Sequence, residues 1–183
     1  MSSGYNTVQA LKTLPQFFPI PNQGRVRLMV RWPRIDRSAE RDANNRRKTI
    51  FFGANDARLP NTPQYPQHVP LEQYRENIVK LATHEMVVAH KCPVVLITPA
   101  PIDERLCLDT DSAKGIHVMR RTAENTAQYA EVVRQLGKQL NLPVLDLWTA
   151  FMKAAGWKQG EVLPGSSEIP PNQVLVRLLH DGM

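Results

Sequence analysis

Apolar positions recur along this chain in two rhythms. Leu71, Tyr74, Ile78 and Leu81 stand at spacings of three, four and three, one face of a helix beginning near Leu71, with Pro70 at the entrance where a missing N–H does no harm. Met119, Ala123, Ala130, Val133, Leu136 and Leu140 give a second, longer helix over 119–140. Between and around these lie short unbroken apolar runs: TIFF (49–52), the strand within CPVVLITPAP (92–101) and PVLDL (143–147). Each has strand length and is bounded by Gly, Pro or polar residues. Residues 6–14 form a further helix opened by Asn6 and Thr7 and halted by Pro15, and PQFFPIPNQG follows as a connector. Pro60 to Pro70 is a loop, and a charged loop joins TPAPIDE to the long helix. TAFMKAAGW (149–157) is a short helix stopped by Gly156, and the tail from 158 is loop-like until VLVRLLHDGM.

Strands alternating with helices predict an α/β domain with a parallel sheet. In such sheets chemistry collects beyond the carboxyl ends of the strands, where GAND, TPAPIDE and the loop after PVLDL stand. The 183 residues, 42% of them hydrophobic, suit one domain with a true core and exclude a disordered or collagen-like chain. No run approaches the length of a membrane span, and MSSGYNTVQALK lacks the features of a secretory signal, so a cytoplasmic chain is expected. Cys92 and Cys107 lack metal-like spacing and read as structural thiols. No internal repeat, Walker loop, dinucleotide fingerprint or zinc pattern is present.

The formal charge of +6 hints at an acidic partner such as nucleic acid, but it is unevenly placed. Residues 30–48, VRWPRIDRSAERDANNRRK, hold seven basic and three acidic residues and so carry +4 of it. The stretch has no sustained period and reads as an insert. Removing it joins RVRLM (25–29) to TIFFGAND as one continuous buried strand. Two readings compete: a basic loop for phosphate or nucleic acid, and translated intron sequence of the short fungal kind. In the second, Val30 carries a GT donor, Ala43-Asn44 a branch-like element and Lys48 an AG acceptor. With the insert set aside the chain is near neutral, and no nucleic-acid partner is expected.

Three short blocks bear candidate chemistry. Gly53-Ala54-Asn55-Asp56 follows a buried strand, where a tight turn lifts an Asn amide toward the sheet's edge as an oxyanion donor. Ser3-Gly4-Tyr5-Asn6-Thr7 opens a helix, a place suited to anion binding. Asp181-Gly182 stands near the C-terminus. Taken singly, the first is an ordinary turn, the second an N-cap and the third a turn.

Their order is more telling. SGYNT, then FFGANDARLPNTPQYPQHVPLEQYRENI, then LITPAPIDERL, then LLHDG resembles the SGNH (GDSL-type) ester hydrolases, closest to the isoamyl acetate-hydrolysing esterase group, over nearly the whole chain except 30–48. The resemblance implies a three-layer, doubly wound parallel α/β/α sheet (flavodoxin-like), here incomplete and lacking the first two strands. It implies Gly4 as a backbone donor and Asn55 as a side-chain donor of the oxyanion hole, and Asp181 as the acid that orients a general-base His. It implies a small ester substrate of short acyl chain, Ser-His-Asp chemistry and neither metal nor organic cofactor. The family's nucleophilic Ser belongs in a G-D-S block ahead of SGYNT, and its His three residues after Asp181. Neither position exists here, so the chain reads as a single partial domain, 1–183, truncated at both ends and catalytically inactive as written.

Ser2, Ser3, Ser38, Ser112, Ser166 and Ser167 lie in termini or loops rather than at a strand-to-helix elbow. His68, His84, His90 and His117 fit loops or helix surfaces, and His180 adjoins Asp181 too closely to converge with it on one atom. Without the preceding strands the buried strand at 49–52 keeps an unpaired edge, so an unstable or insoluble fragment is expected. The rival functions are a non-catalytic module binding small esters or carboxylates and a basic-loop nucleic-acid binder. The oligomeric state is not specified by the sequence.

Overall fold

In the computed structural model the described residues are 5–17, 47–63 and 67–181. Three strands form one parallel sheet in the order β1-β2-β3: β1 (Lys48–Phe51), β2 (Val94–Ile97) and β3 (Val144–Leu145). Consecutive strands are neighbours, and the chain between them passes through α2 (Leu71–Thr83) and the short α3 (Glu85–Val88), then through α4 (Glu104–Ser112) and α5 (Ala123–Gln139). The expected parallel α/β arrangement is therefore observed. It is completed by α1 (Thr7–Phe17), α6 (Leu147–Ala154) and α7 (Gln173–Asp181).

One face of the sheet carries the main core. Ile50 of β1 and Val94 and Leu96 of β2 pack with Tyr74, Ile78 and Leu81 of α2, Val133 and Leu136 of α5, and Leu14 of α1. The apolar stripe read from the spacing of α2 is thus the buried one. Alternation puts Thr49 and Phe51 on the other face, where both are exposed. A smaller cluster of Ala130, Trp148, Met152 and Leu175 fastens α6 and α7 to the outer side of α5. Among the described residues no helix is long and apolar enough to cross a membrane.

Several element boundaries differ from expectation for identifiable reasons. β1 begins at Lys48, the last residue of the basic insert, because Lys48 N–H bonds the Pro93 carbonyl and its Nζ donates to Val87 O at 2.5 Å. Residues 30–46 of that insert, and RVRLM before it, lie outside the described residues. α1 continues through Pro15 to Phe17, since a proline this near the end removes only one ladder bond. The long helix starts at Ala123 rather than 119, fixed by Thr122, whose hydroxyl accepts from Asn125 N–H. The third strand contracts to two residues because Asp146 already caps α6. The charged loop after TPAPIDE is a helix, α4, whose Glu104 and Asp111 are buried against partners elsewhere in the chain.

Candidate oxyanion site

Parallel strands place the ends of β1, β2 and β3 along one edge, and the GAND turn leaves that edge from β1. Gly53 has φ +120, and a Cβ there would stand 2.9 Å from both Pro99 Cγ and the Tyr74 hydroxyl oxygen. Only glycine lets the chain turn this sharply beneath β2. Tyr74 is wholly buried and its hydroxyl donates to Phe52 O at 3.0 Å, fixing the residue just before the turn.

The turn carries Asn55 and Asp56 in different directions. Asp56 is fully buried and reaches the first residue of α1: its Oδ1 accepts from Thr7 N–H at 2.8 Å and from the Thr7 hydroxyl at 2.5 Å. Asn77 Nδ2 in turn donates to Thr7 Oγ1 at 3.0 Å, tying α2 into the same knot. A carboxylate at a helix N-terminus meets unpaired N–H groups and the positive end of the dipole. Burial nevertheless pushes the Asp56 carboxyl upward, and the Thr7 hydrogen bonds only partly offset this. The helix start is secured independently. Asn6 Oδ1 accepts from Gln9 N–H while Asn6 N–H donates to Gln9 Oε1, a reciprocal capping box.

Asn55 points to the partly open side. Its Nδ2 donates to Tyr5 O at 3.0 Å. Its Oδ1 accepts from Arg121 Nη2 at 3.3 Å, while Arg121 Nε donates to Ala54 O at 3.2 Å. An amide nitrogen carries two hydrogens, so the Tyr5 contact leaves one N–H for an incoming oxygen. The two sequence blocks taken as oxyanion donors thus meet in space although some 50 residues apart, through Asn55 to Tyr5 and Asp56 to Thr7. Gly4 itself lies outside the described residues. Asp181 is the last residue of α7, and its side chain likewise lies outside them.

TPAPIDE, the block beyond β2, is structural in its acids. Asp103 caps α4, accepting from Arg105 and Leu106 N–H. Glu104 accepts from Ala123 N–H at 2.9 Å, Ser167 N–H at 2.9 Å and the Ser167 hydroxyl at 2.7 Å. Burial alone would raise its carboxyl, but these hydrogen bonds and the Arg105 charge outweigh it and hold Glu104 low. Arg105 also donates to Ser166 O and Ile169 O, so this pair fastens the 165–169 loop. Gly165 is required there, because a Cβ would lie 1.8 Å from Ile102 O. Thr98, at the end of β2, donates to Asp146 Oδ1 and accepts from Trp148 N–H, linking β2 to the start of α6.

The described serines fit no nucleophile elbow. Ser112 ends α4, Ser166 is buried in the loop before α7, and the Ser167 hydroxyl is engaged by Glu104. His68 Nδ1 lies 2.5 Å from Arg58 O, and His84 caps α3 through Met86 N–H. Both cysteines are free, and burial pushes the Cys107 thiol upward. Arg121 escaped sequence reasoning, which put it inside the long helix expected over 119–140 and gave it no role. With the helix starting at Ala123 under the Thr122 cap, Arg121 lies in the segment before it.

Residues 3–180 match the GDSL-like Lipase/Acylhydrolase family. The chain is 32% identical over 177 residues to a GDSL esterase/lipase of Arabidopsis thaliana, covering 94% of this chain and 65% of that protein. It is 34% identical over 139 residues to the isoamyl acetate-hydrolyzing esterase 1 homolog of Rattus norvegicus, covering 72% of this chain and 55% of the rat protein. Among solved structures it is similar to a lipase/acylhydrolase from Enterococcus faecalis, with 26% identity, a TM-score of 0.40 and coverage of 73% of this chain and 60% of that one. The chain thus spans between half and two thirds of the length of these relatives.

Proposed function

As the chain belongs to the GDSL-like lipase/acylhydrolase family, we propose that it forms the oxyanion-stabilising half of a carboxylic-ester hydrolase acting on small esters of short acyl chain, in the manner of isoamyl acetate. The observation that carries this reading is Asn55, presented at the end of β1 and bound to the backbone of the SGYNT block.

In the proposed reaction a serine hydroxyl adds to the ester carbonyl carbon while a histidine takes its proton. The carbonyl oxygen becomes an oxyanion, held by the Asn55 side-chain N–H and the Gly4 backbone N–H. Collapse breaks the bond to the alcohol, which leaves with the histidine's proton, and water repeats the sequence on the acyl-enzyme. Asp181 orients the histidine. Donors already fixed in place stabilise developing charge without reorganising at the moment of reaction.

The described serines and histidines are placed for helix ends, caps and loops rather than for this chemistry, so we further propose that residues 1–183 alone do not turn over. The test compares p-nitrophenyl acetate hydrolysis by this chain and by a longer protein adding a G-D-S block before Gly4 and a His three residues after Asp181. Turnover by the longer protein alone is expected. Strong turnover by the 183 residues, or none by either, would overturn the respective claim.

A further inference from the structure

We propose that Arg121 is a positioning residue for the oxyanion donor: its guanidinium locks the Asn55 amide so that the free N–H stays aimed at the reacting carbonyl oxygen. This rests on the proposed role of Asn55 and extends it to a residue outside the three family blocks.

An Asn side chain at an open edge has two faults as an oxyanion donor. It swings about its side-chain torsions, and a flip of the amide offers an oxygen where a donor is needed. Asn55 is held at both ends. Tyr5 O accepts one N–H at 3.0 Å, and Arg121 Nη2 donates to Oδ1 at 3.3 Å. A flip would set Nδ2 against the guanidinium and Oδ1 against the Tyr5 carbonyl, donor facing donor and acceptor facing acceptor. The guanidinium also draws electron density toward Oδ1, which makes the remaining N–H a stronger donor.

Arg121 grips the backbone of the same turn. Nε donates to Ala54 O at 3.2 Å, so the planar fork spans residues 54 and 55 together. Its own position is fixed by its neighbours. Arg120 makes a buried, two-pronged ion pair with Asp111, and Thr122 caps α5. The loop after β1 does not depend on Arg121 for its attachment. Leu59 N–H bonds Arg120 O at 2.8 Å, and Asn125 Nδ2 donates to Ala57 O at 2.6 Å. Removing the partly exposed guanidinium therefore frees the amide of Asn55 while the turn stays docked.

The test is a double-mutant cycle in the esterase-active protein that contains these residues, with p-nitrophenyl acetate as substrate. Arg121→Met is expected to lower kcat about tenfold with KM within about twofold, and Arg121→Lys to recover part of the loss. In an Asn55→Ala background, Arg121→Met is expected to change kcat less than about twofold, because its target is gone. Thermal melts confirm that each variant is folded. Equal losses in both backgrounds, or no loss in the parent, would overturn the role of Arg121. An unaffected kcat in Asn55→Ala alone would instead overturn the reading of Asn55 on which it rests. Should Arg121→Met unfold, Arg121→Gln in the same cycle decides the matter.

Discussion

At the scale of single residues, the site rests on buried groups that leave little room for substitution. Gly53→Ala would force a left-handed φ on a residue with a Cβ and push that Cβ against Pro99 and Tyr74. We expect a loss of about 2–3 kcal/mol, read from denaturant melts. Two of the buried carboxylates, Asp56 and Glu104, should titrate with opposite consequences. Asp56 is raised in the folded chain, so its contribution is full below the unfolded pKa and is lost as pH rises through the folded one. Glu104 is lowered, so its contribution is present above the unfolded pKa and is lost as pH falls through the folded one. Asp56→Asn should flatten the stability profile on the rising-pH side of the carboxylate range, and Glu104→Gln on the acid side. Unfolding midpoints across a pH series check both slopes.

Elements show what the sequence made legible and why the rest was hidden. The turn at Gly53–Asp56 was legible because a glycine after an apolar run has few other uses, and α2 because its apolar spacing matches its buried face. α4 was hidden because its acids resemble solvent-facing residues, whereas Glu104 and Asp111 are buried by partners as far off as Ser167 and Arg120. Polar residues paired over long range leave no periodic trace. The turn that carries Asn55 was legible; its contact with Arg121 was not, because that contact joins segments 66 residues apart. Packing between elements gives a further prediction at Gly137 of α5, where a Cβ would stand 2.1 Å from Val144 Cγ2. Gly137→Ala should push β3 off the helix and lower stability by about 1–3 kcal/mol in the same melts.

For the whole molecule, the sheet has one covered face and one partly open face, and β1 forms one edge of the described sheet. Phe51 is 44% exposed beside that edge. Among the described residues no strand pairs the outer side of β1, and such an edge beside an exposed aromatic residue is a template for pairing with other chains. The 183 residues in isolation should therefore self-associate, and Phe51→Lys should shift sedimentation toward monomer without lowering the melt.

The central claim, that Asn55 stabilises the oxyanion, is tested most directly by steady-state hydrolysis of p-nitrophenyl acetate by the esterase-active protein and its Asn55→Ala variant. Loss of one preset donor should lower kcat by about 10²–10³ with little change in KM. An unchanged kcat, or a loss confined to KM, would contradict it.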